Sequence, residues 1–412
     1  MNAMPRCRGW CPSLYDPMET GDGLLVRVKP PGARLTAPTA RLLADAAARW
    51  GNGVIELTRR GNLQVRGLRP DGVAPFAAAM AAAGLADPDP ARERRRVVIA
   101  PPLAGDDPGA AATGLAERIE AALADGPALA SKFCIAVDAC GVLAGRTVPA
   151  DIQVRTGGAE DRIIAGSLDA TCAPDRTVAE VLRLAILADG KRLVPLSLRE
   201  RAGVRGSSGA VLTKAGTCSA GTHGSPLRSQ DPLTPALSRR ERGQAELIVG
   251  FHPYPGTGRG VLALGLPLGQ MDAGILRALA DLADRFSGGA IRTSPFRALL
   301  LGSVPAADLP AAQQAAEAAG LASDPHDPRL LVTSCIGAPG CASATVPARQ
   351  DAARLAREGR GPLHVSGCAK GCAYPGTGPA LVGAAGQYTL MTDTLMPDWR
   401  PGLAANSPDP IP

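Results

Sequence analysis

Aromatic side chains are scarce in this sequence: 3 Trp, 4 Tyr and 5 Phe among 412 residues. The core must therefore be aliphatic. A base-stacking surface is not supported, so nucleic acid is not expected as a partner. Histidine is nearly as scarce, at 4 residues, which restricts any iron site of two histidines and a carboxylate. A net charge of +6 is too small to imply nucleic acid but suits an anionic small ligand. No run of about 18 uncharged apolar residues occurs, so no membrane span is expected. The opening MNAMPRCRGWCPSLYDP lacks the apolar stretch of a secretory signal, and a cytoplasmic location is expected. Ten cysteines in such a chain are poorly explained as a disulfide framework. Clustered cysteines in a reducing compartment more often bind metal or carry out redox chemistry.

Apolar residues at 45% and charged residues at 20% are the proportions of a globular chain. With 49 Gly and 38 Pro, many turns and short elements are expected rather than a long-helix bundle. An internal repeat organises them. Residues 23–67 and 260–302 each read as an alternating strand, a turn, an Ala/Leu helix, a Gly break and a second strand. The helices carry Leu42, Leu43, Ala46 and Ala47 in one copy, and Leu276, Leu279, Ala280 and Ala283 in the other, at helical spacing. Asn52-Gly53 and Gly288-Gly289 then turn the chain into the second strands. The offset of about 236 residues is too long for a solenoid period and reads as gene duplication about a pseudo-twofold axis.

Between and after the copies, strands are expected at 97–103, 133–138, 330–335 and 363–368, and helices at 115–123, 178–188, 310–319 and 348–358. Residues 206–243 are rich in Ser, Thr, Gly, Pro and Arg without apolar periodicity and read as a disordered insertion, so Cys218 and His223 within it are discounted as ligands. The predicted division is a half-unit at 1–75, an α/β lobe at 90–200, the insertion at 206–243, a second half-unit at 246–305, a second lobe at 310–395 and a disordered tail at 399–412.

Four cysteines form two close pairs. Cys335 and Cys341 stand in SCIGAPGC, and Cys368 and Cys372 in GCAKGC; each pair follows a predicted strand in a Gly/Pro-rich loop. Small residues let backbone N–H groups approach inorganic sulfide. The wider first spacing argues against a zinc knuckle. Four thiolates on two facing loops suit a [4Fe–4S] cube, with a disulfide or buried free thiols as the alternative.

This cysteine pattern and the duplication resemble the nitrite and sulfite reductase family, which binds siroheme beside a [4Fe–4S] cluster. LTRRGNLQ (57–64) is similar to the family's Thr-x-Arg-x-x-x-Gln loop. The resemblance implies that Arg60 and Gln64 lie at a tetrapyrrole, with Arg59 beside them, and that Arg95 stands near a second arginine. SKFCIAV (131–137) resembles the family's Lys-x-Lys strand, matching Lys132 to the first lysine and Cys134 to the second. The lost ammonium weakens capture and protonation of an inorganic oxyanion.

The resemblance is closer to the precorrin-3B synthase branch, through stretches 8–28, 100–110, 131–138, 334–356 and 364–376. That branch implies oxygen-dependent conversion of precorrin-3A to precorrin-3B, by C20 hydroxylation with γ-lactone formation, in aerobic cobalamin biosynthesis. Arg59, Arg60, Gln64, Arg95 and Lys132 would then bind the acidic tetrapyrrole, with Arg60 and Lys132 catalytic. Cys335, Cys341, Cys368 and Cys372 would hold the cluster. Siroheme or a mononuclear iron is left open as a second centre. O2 is the co-substrate, and a separate ferredoxin or NAD(P)H-dependent reductase the electron donor. The roles of Cys7 and Cys11 stay open. A siroheme-dependent sulfite or nitrite reductase is the second reading, and a non-catalytic iron–sulfur or tetrapyrrole carrier the third. The expected fold is α+β: duplicated ferredoxin-like half-units on a pseudo-twofold axis, with two α/β lobes.

Overall fold

The computed structural model describes residues 12–190, except 104, 108–113, 127–128, 131, 140, 147, 149 and 167, and residues 248–391, except 372–373 and 375–377. The insertion expected at 206–243, the tail at 399–412, and Cys7, Cys11, Cys140, Cys218, His223 and Cys372 lie outside the described residues.

Each copy of the repeat forms one antiparallel sheet backed by two helices, Ala37–Trp50 with Val73–Ala82 in the first copy and Ala273–Phe286 with Leu309–Ala318 in the second. The first sheet runs in the order Met18–Thr20, Gly23–Val28, Leu63–Leu68, Val54–Leu57 and Gln270–Asp272. The second runs Gly250–Pro253, Arg259–Gly265, Ala298–Pro305, Ala290–Thr293 and Arg34–Thr36. The fifth strand of each sheet comes from the other half-unit. Met271 pairs with Ile55, and Leu35 pairs with Ile291. This reciprocal exchange fixes the two halves about the pseudo-twofold axis.

The first helix of each copy follows directly from its exchanged strand. Thr36 caps Ala37–Trp50 with a capping box through Thr39, and Asp272 caps Ala273–Phe286 by accepting from the Ile275 N–H at 2.8 Å. Each cap satisfies amides that the first helical turn leaves without an intrahelical partner. Leu43, Ala44 and Ala47 meet Leu276, Leu279, Ala280 and Ala283 in one fully buried core shared by both sheets. At its rim Arg41 pairs with Asp281 and Asp284, both at 2.6 Å, and Arg277 pairs with Asp45 at 2.7 Å. These symmetry-related pairs are exposed, so each adds about 0–1 kcal/mol and the apolar seam carries the contact.

The two lobes also repeat one another, which the sequence reading did not detect. The first has Val98–Ile99, Ile135–Ala139 and Ile152–Thr156 in parallel, then Asp161–Ala165 and Leu168–Cys172 antiparallel. The second has Val332–Ser334, Leu363–Ser366 and Ala380–Ala384 in parallel, then Gln387–Met391 antiparallel. A helix follows the first strand in each, at Leu115–Ala124 and Ala348–Arg357. The predicted helix at 178–188 is observed as Thr177–Gly190 and that at 310–319 as Leu309–Ala318. Among the described residues no helix is long and apolar enough to cross a membrane.

Candidate functional site

The cysteine loops leave the C-terminal ends of two neighbouring parallel strands, the edge at which open α/β sheets bind ligands. Val332 pairs with Leu363 and Ser334 with Val365, so Cys335 and Cys368 emerge side by side. The Cys335 amide donates to the Val365 carbonyl at 3.2 Å, and the Thr345 amide donates to the Gly367 carbonyl at 2.9 Å. The Gly367 amide donates to the Cys335 thiol sulfur at 3.0 Å, which ties one loop to the other. A Cβ on Gly367 would lie 2.7 Å from that of Ala344 and 3.0 Å from the Cα of Gly337. The loops can approach this closely only with glycine there. Gly367→Ala is therefore expected to cost about 1–3 kcal/mol, through a forced separation of the loops, measured as lowered thermal stability of the purified chain.

Cys335, Cys341 and Cys368 are free, partly exposed thiols. No three ligating side chains gather around one point among the described residues, which do not include Cys372. What fits a cluster is the donor chemistry: soft sulfur ligands on adjoining loops, an amide already directed at one sulfur, and glycines that leave room beside it.

Beneath the Cys335 loop lies a buried polar network that sequence reasoning missed. Strand alternation directs Leu63 and Val65 into the shared core and leaves Gln64 and Arg66 on the other face. Arg66 forms a fork on Asp22, from Nε at 3.0 Å and Nη2 at 2.9 Å, and its Nη2 also reaches the Gly340 carbonyl at 3.2 Å. Glu56 joins Arg66 at 3.5 Å to Arg349 at 2.8 Å and accepts from Gln64 at 3.2 Å. Gln64 in turn accepts from Arg27 at 2.8 Å. Arg349 also donates to Gln270. Burial holds the Arg349 pKa below its ordinary value; Glu56 opposes that shift, Arg66 adds to it, and the Cys335 thiol opposes it.

The second half-unit lacks this network. In matching register, Ala263, Leu300 and Gly302 replace Arg27, Gln64 and Arg66, and Leu300 packs in an apolar core with Phe296. Aligning the two copies would have disclosed the difference, because the polar residues at these three strand positions in the first copy stand against Ala263, Leu300 and Gly302 in the second.

The structure brings Arg60 and Lys132 together through the backbone. Arg60 donates to the Lys132 carbonyl at 2.5 Å and the Phe133 carbonyl at 3.4 Å, while the Lys132 side chain is exposed. Arg60 also lines a solvent-open hollow of about 460 Å³ with Lys29, Asn62, Arg96, Glu120 and Thr293. Lys29 donates to the Glu93 and Arg96 carbonyls, both at 2.8 Å, and burial pushes its pKa down to about 8. Cys134 is 4% exposed among Ile99, Ala136 and Ala150, and burial pushes its thiol pKa up. Arg95 lies elsewhere: it donates to the Ala124 carbonyl at 3.0 Å, at the C-terminus of the helix Leu115–Ala124. Gln64 belongs to the network under the Cys335 loop, and Arg59 is exposed on the turn beside Arg60.

Four residues before Cys368, His364 is 2% exposed. Its Nδ1 shares a 2.9 Å hydrogen bond with Thr333, and its ring lies 5.5 Å from that of Tyr374. Its Nε2 is buried with no hydrogen-bond partner among the described residues. Burial, then Arg297 and Arg59, pushes its pKa down to about 4.

The ferredoxin-like half domain of nitrite and sulfite reductases matches this chain at residues 16–83 and 255–319, the two halves of the repeat. A precorrin-3B synthase of Sinorhizobium sp is 33% identical over 408 residues, covering 94% of this chain and 83% of that protein. A ferredoxin–nitrite reductase of Synechococcus elongatus is 25% identical over 161 residues, 37% of this chain and 30% of the relative. Among solved structures, the NirA protein of Mycobacterium tuberculosis superposes with a TM-score of 0.62 at 17% identity, over 89% of this chain and 73% of that one, a likeness of fold. The chain is an oxidoreductase belonging to the precorrin-3B synthase family, built on the duplicated ferredoxin-like fold of the nitrite and sulfite reductases.

Proposed function

We propose that this chain converts precorrin-3A to precorrin-3B in aerobic cobalamin biosynthesis, hydroxylating C20 with closure of a γ-lactone. Likeness to a precorrin-3B synthase along 94% of the chain carries the reading. A second observation favours it over reduction of inorganic sulfite or nitrite. At the position matched to the second lysine, Cys134 is buried in an apolar setting with its thiol pKa raised. A neutral thiol neither attracts an oxyanion nor supplies protons as an ammonium does.

The reaction balances as one substrate, one O2, two electrons and two protons giving one oxygenated product and one water. Cys335, Cys341, Cys368 and Cys372 would hold a [4Fe–4S] cluster, which, when bound, supplies one-electron transfer. A separate ferredoxin or NAD(P)H-dependent reductase provides the electrons. Arg59 and Arg60 stand on one turn and would bind acetate and propionate arms of the macrocycle, since guanidinium pairs well with carboxylate. Lys132, exposed beside them, would assist in holding an arm or moving a proton. Arg95 and Gln64 would act from a distance, Arg95 through the helix end and Gln64 through the network under the Cys335 loop. A second iron centre, siroheme or mononuclear, would supply activation of O2 when bound.

The test is anaerobic purification, reduction, then addition of precorrin-3A and O2. A product heavier by one oxygen is expected. Absence of that product with every electron donor, or viologen oxidation on adding nitrite by a protein that carries siroheme, would overturn the reading.

A further inference from the structure

Two turns, one from each half-unit, meet at the site. In the first, the Thr58 hydroxyl accepts from the Arg60 and Asn62 amides at 3.3 and 3.1 Å. In the second, the Ser294 hydroxyl accepts from the Phe296 amide at 3.3 Å and donates to the Ala298 carbonyl at 2.6 Å. The turns abut: a Cβ on Gly61 would lie 3.5 Å from the Ser294 carbonyl carbon and 3.6 Å from the Pro295 nitrogen. Their residues correspond one to one under the repeat offset, with Phe296 in the place of Arg60 and Arg297 in the place of Gly61.

Both members of the last pair have left-handed backbone, Gly61 at φ +70° and Arg297 at φ +57°. Glycine adopts that conformation without steric cost, whereas an arginine there is strained. The first copy shows that the turn closes with glycine. The second copy keeps a long cationic side chain where the backbone disfavours one, and such outliers gather at ligand clamps. The Arg297 charge also acts on His364 of the cysteine-bearing lobe, whose buried Nε2 has no hydrogen-bond partner among the described residues. A buried polar atom of this kind calls for a partner.

We propose that Arg297 binds a carboxylate arm of the tetrapyrrole substrate, opposite Arg59 and Arg60 across the junction of the two turns, with His364 completing the polar wall. This rests on the reading of the substrate as an acidic tetrapyrrole. Guanidinium groups presented by both half-units would grip the macrocycle's fringe from two directions, which a single turn cannot do.

The test is a fluorescence titration of the full chain with uroporphyrin III, an octacarboxylate macrocycle, and with its octamethyl ester. The free acid should bind the wild type and the ester bind far more weakly. Arg297→Gly should weaken free-acid binding roughly tenfold or more, the loss of one charge-assisted pair, with the ester unaffected and thermal stability unchanged or raised by release of strain. Arg297→Gln, which keeps the strained backbone and removes the charge, should show the same weakening; Arg297→Lys should recover part of it. Wild-type affinity in both Arg297→Gly and Arg297→Gln overturns the role of Arg297 while leaving the tetrapyrrole reading intact. Failure of the wild type itself to bind the free acid overturns both.

Discussion

Cys368→Ser is expected to strip the chain of iron, from about four atoms in the reconstituted wild type toward none, and with it the thiolate-to-iron charge-transfer absorbance. Serine is nearly isosteric, but its hydroxyl is a hard, weakly acidic donor where soft thiolate is needed. Cys368 follows Gly367 in the loop after Leu363–Ser366, and the Ser366 hydroxyl donates to its carbonyl at 2.8 Å. The substitution therefore leaves the local backbone in place and removes only the sulfur. Because ligand binding energy adds to folding energy, the loss should also lower the melting temperature of the second lobe in the cluster-loaded protein. The apo forms of wild type and variant should melt alike. Iron content equal to the wild type would show that Cys368 is not a ligand. A stability loss that persists between the two apo forms would show that the sulfur acts by packing.

Much of this architecture was legible in the residues. The repeated strand–helix–strand pattern located both half-units, because amphipathic periodicity and Gly turns are local signals. The exchange of Arg34–Thr36 and Gln270–Asp272 between sheets was not legible. Three-residue strands carry no periodicity, and their partners lie far along the chain. The duplication of the lobes was likewise hidden. Their strands are buried apolar runs of similar composition, and the Leu168–Cys172 hairpin of the first lobe has no counterpart in the order of the second. At the site, Cys335 and Cys368 stand together because two strand ends could be read and placed side by side. The placement of Arg95 on the Ala124 carbonyl depends on where a helix ends in space, which spacing along the chain does not reveal. The network of Asp22, Glu56, Arg66 and Arg349 spans both ends of the sequence, so no local motif announces it.

Arg66→Met is expected to destabilise the chain by about 3 kcal/mol, toward the lower end for breaking a buried ion pair because the Asp22 side chain keeps 19% of its exposure. Methionine fills a similar volume, so the loss reports charge and hydrogen bonding rather than a cavity. Four acceptor oxygens are affected at once: both of Asp22, one of Glu56, and the Gly340 carbonyl. Burial alone would raise the Asp22 pKa; the hydrogen bonds from Arg66 and Thr20 outweigh it and hold that carboxyl below its ordinary 3.8. A carboxyl depressed in the folded state adds stability that is present above its unfolded pKa and lost as pH falls through the folded one. The gap between wild type and Arg66→Met in denaturant titrations should therefore be full near neutrality and shrink in acid below about pH 4. Asp22→Asn in the Arg66→Met background should recover part of the loss, since it removes a stranded charge. The Gly21 amide still donates to the Gly340 carbonyl at 3.1 Å, so the Cys335 loop should stay attached at one point while its amides exchange faster. An acid-independent gap, or no recovery in the double variant, would mean that Arg66 acts through its aliphatic stem and that the first half-unit does not hold the cysteine loop electrostatically.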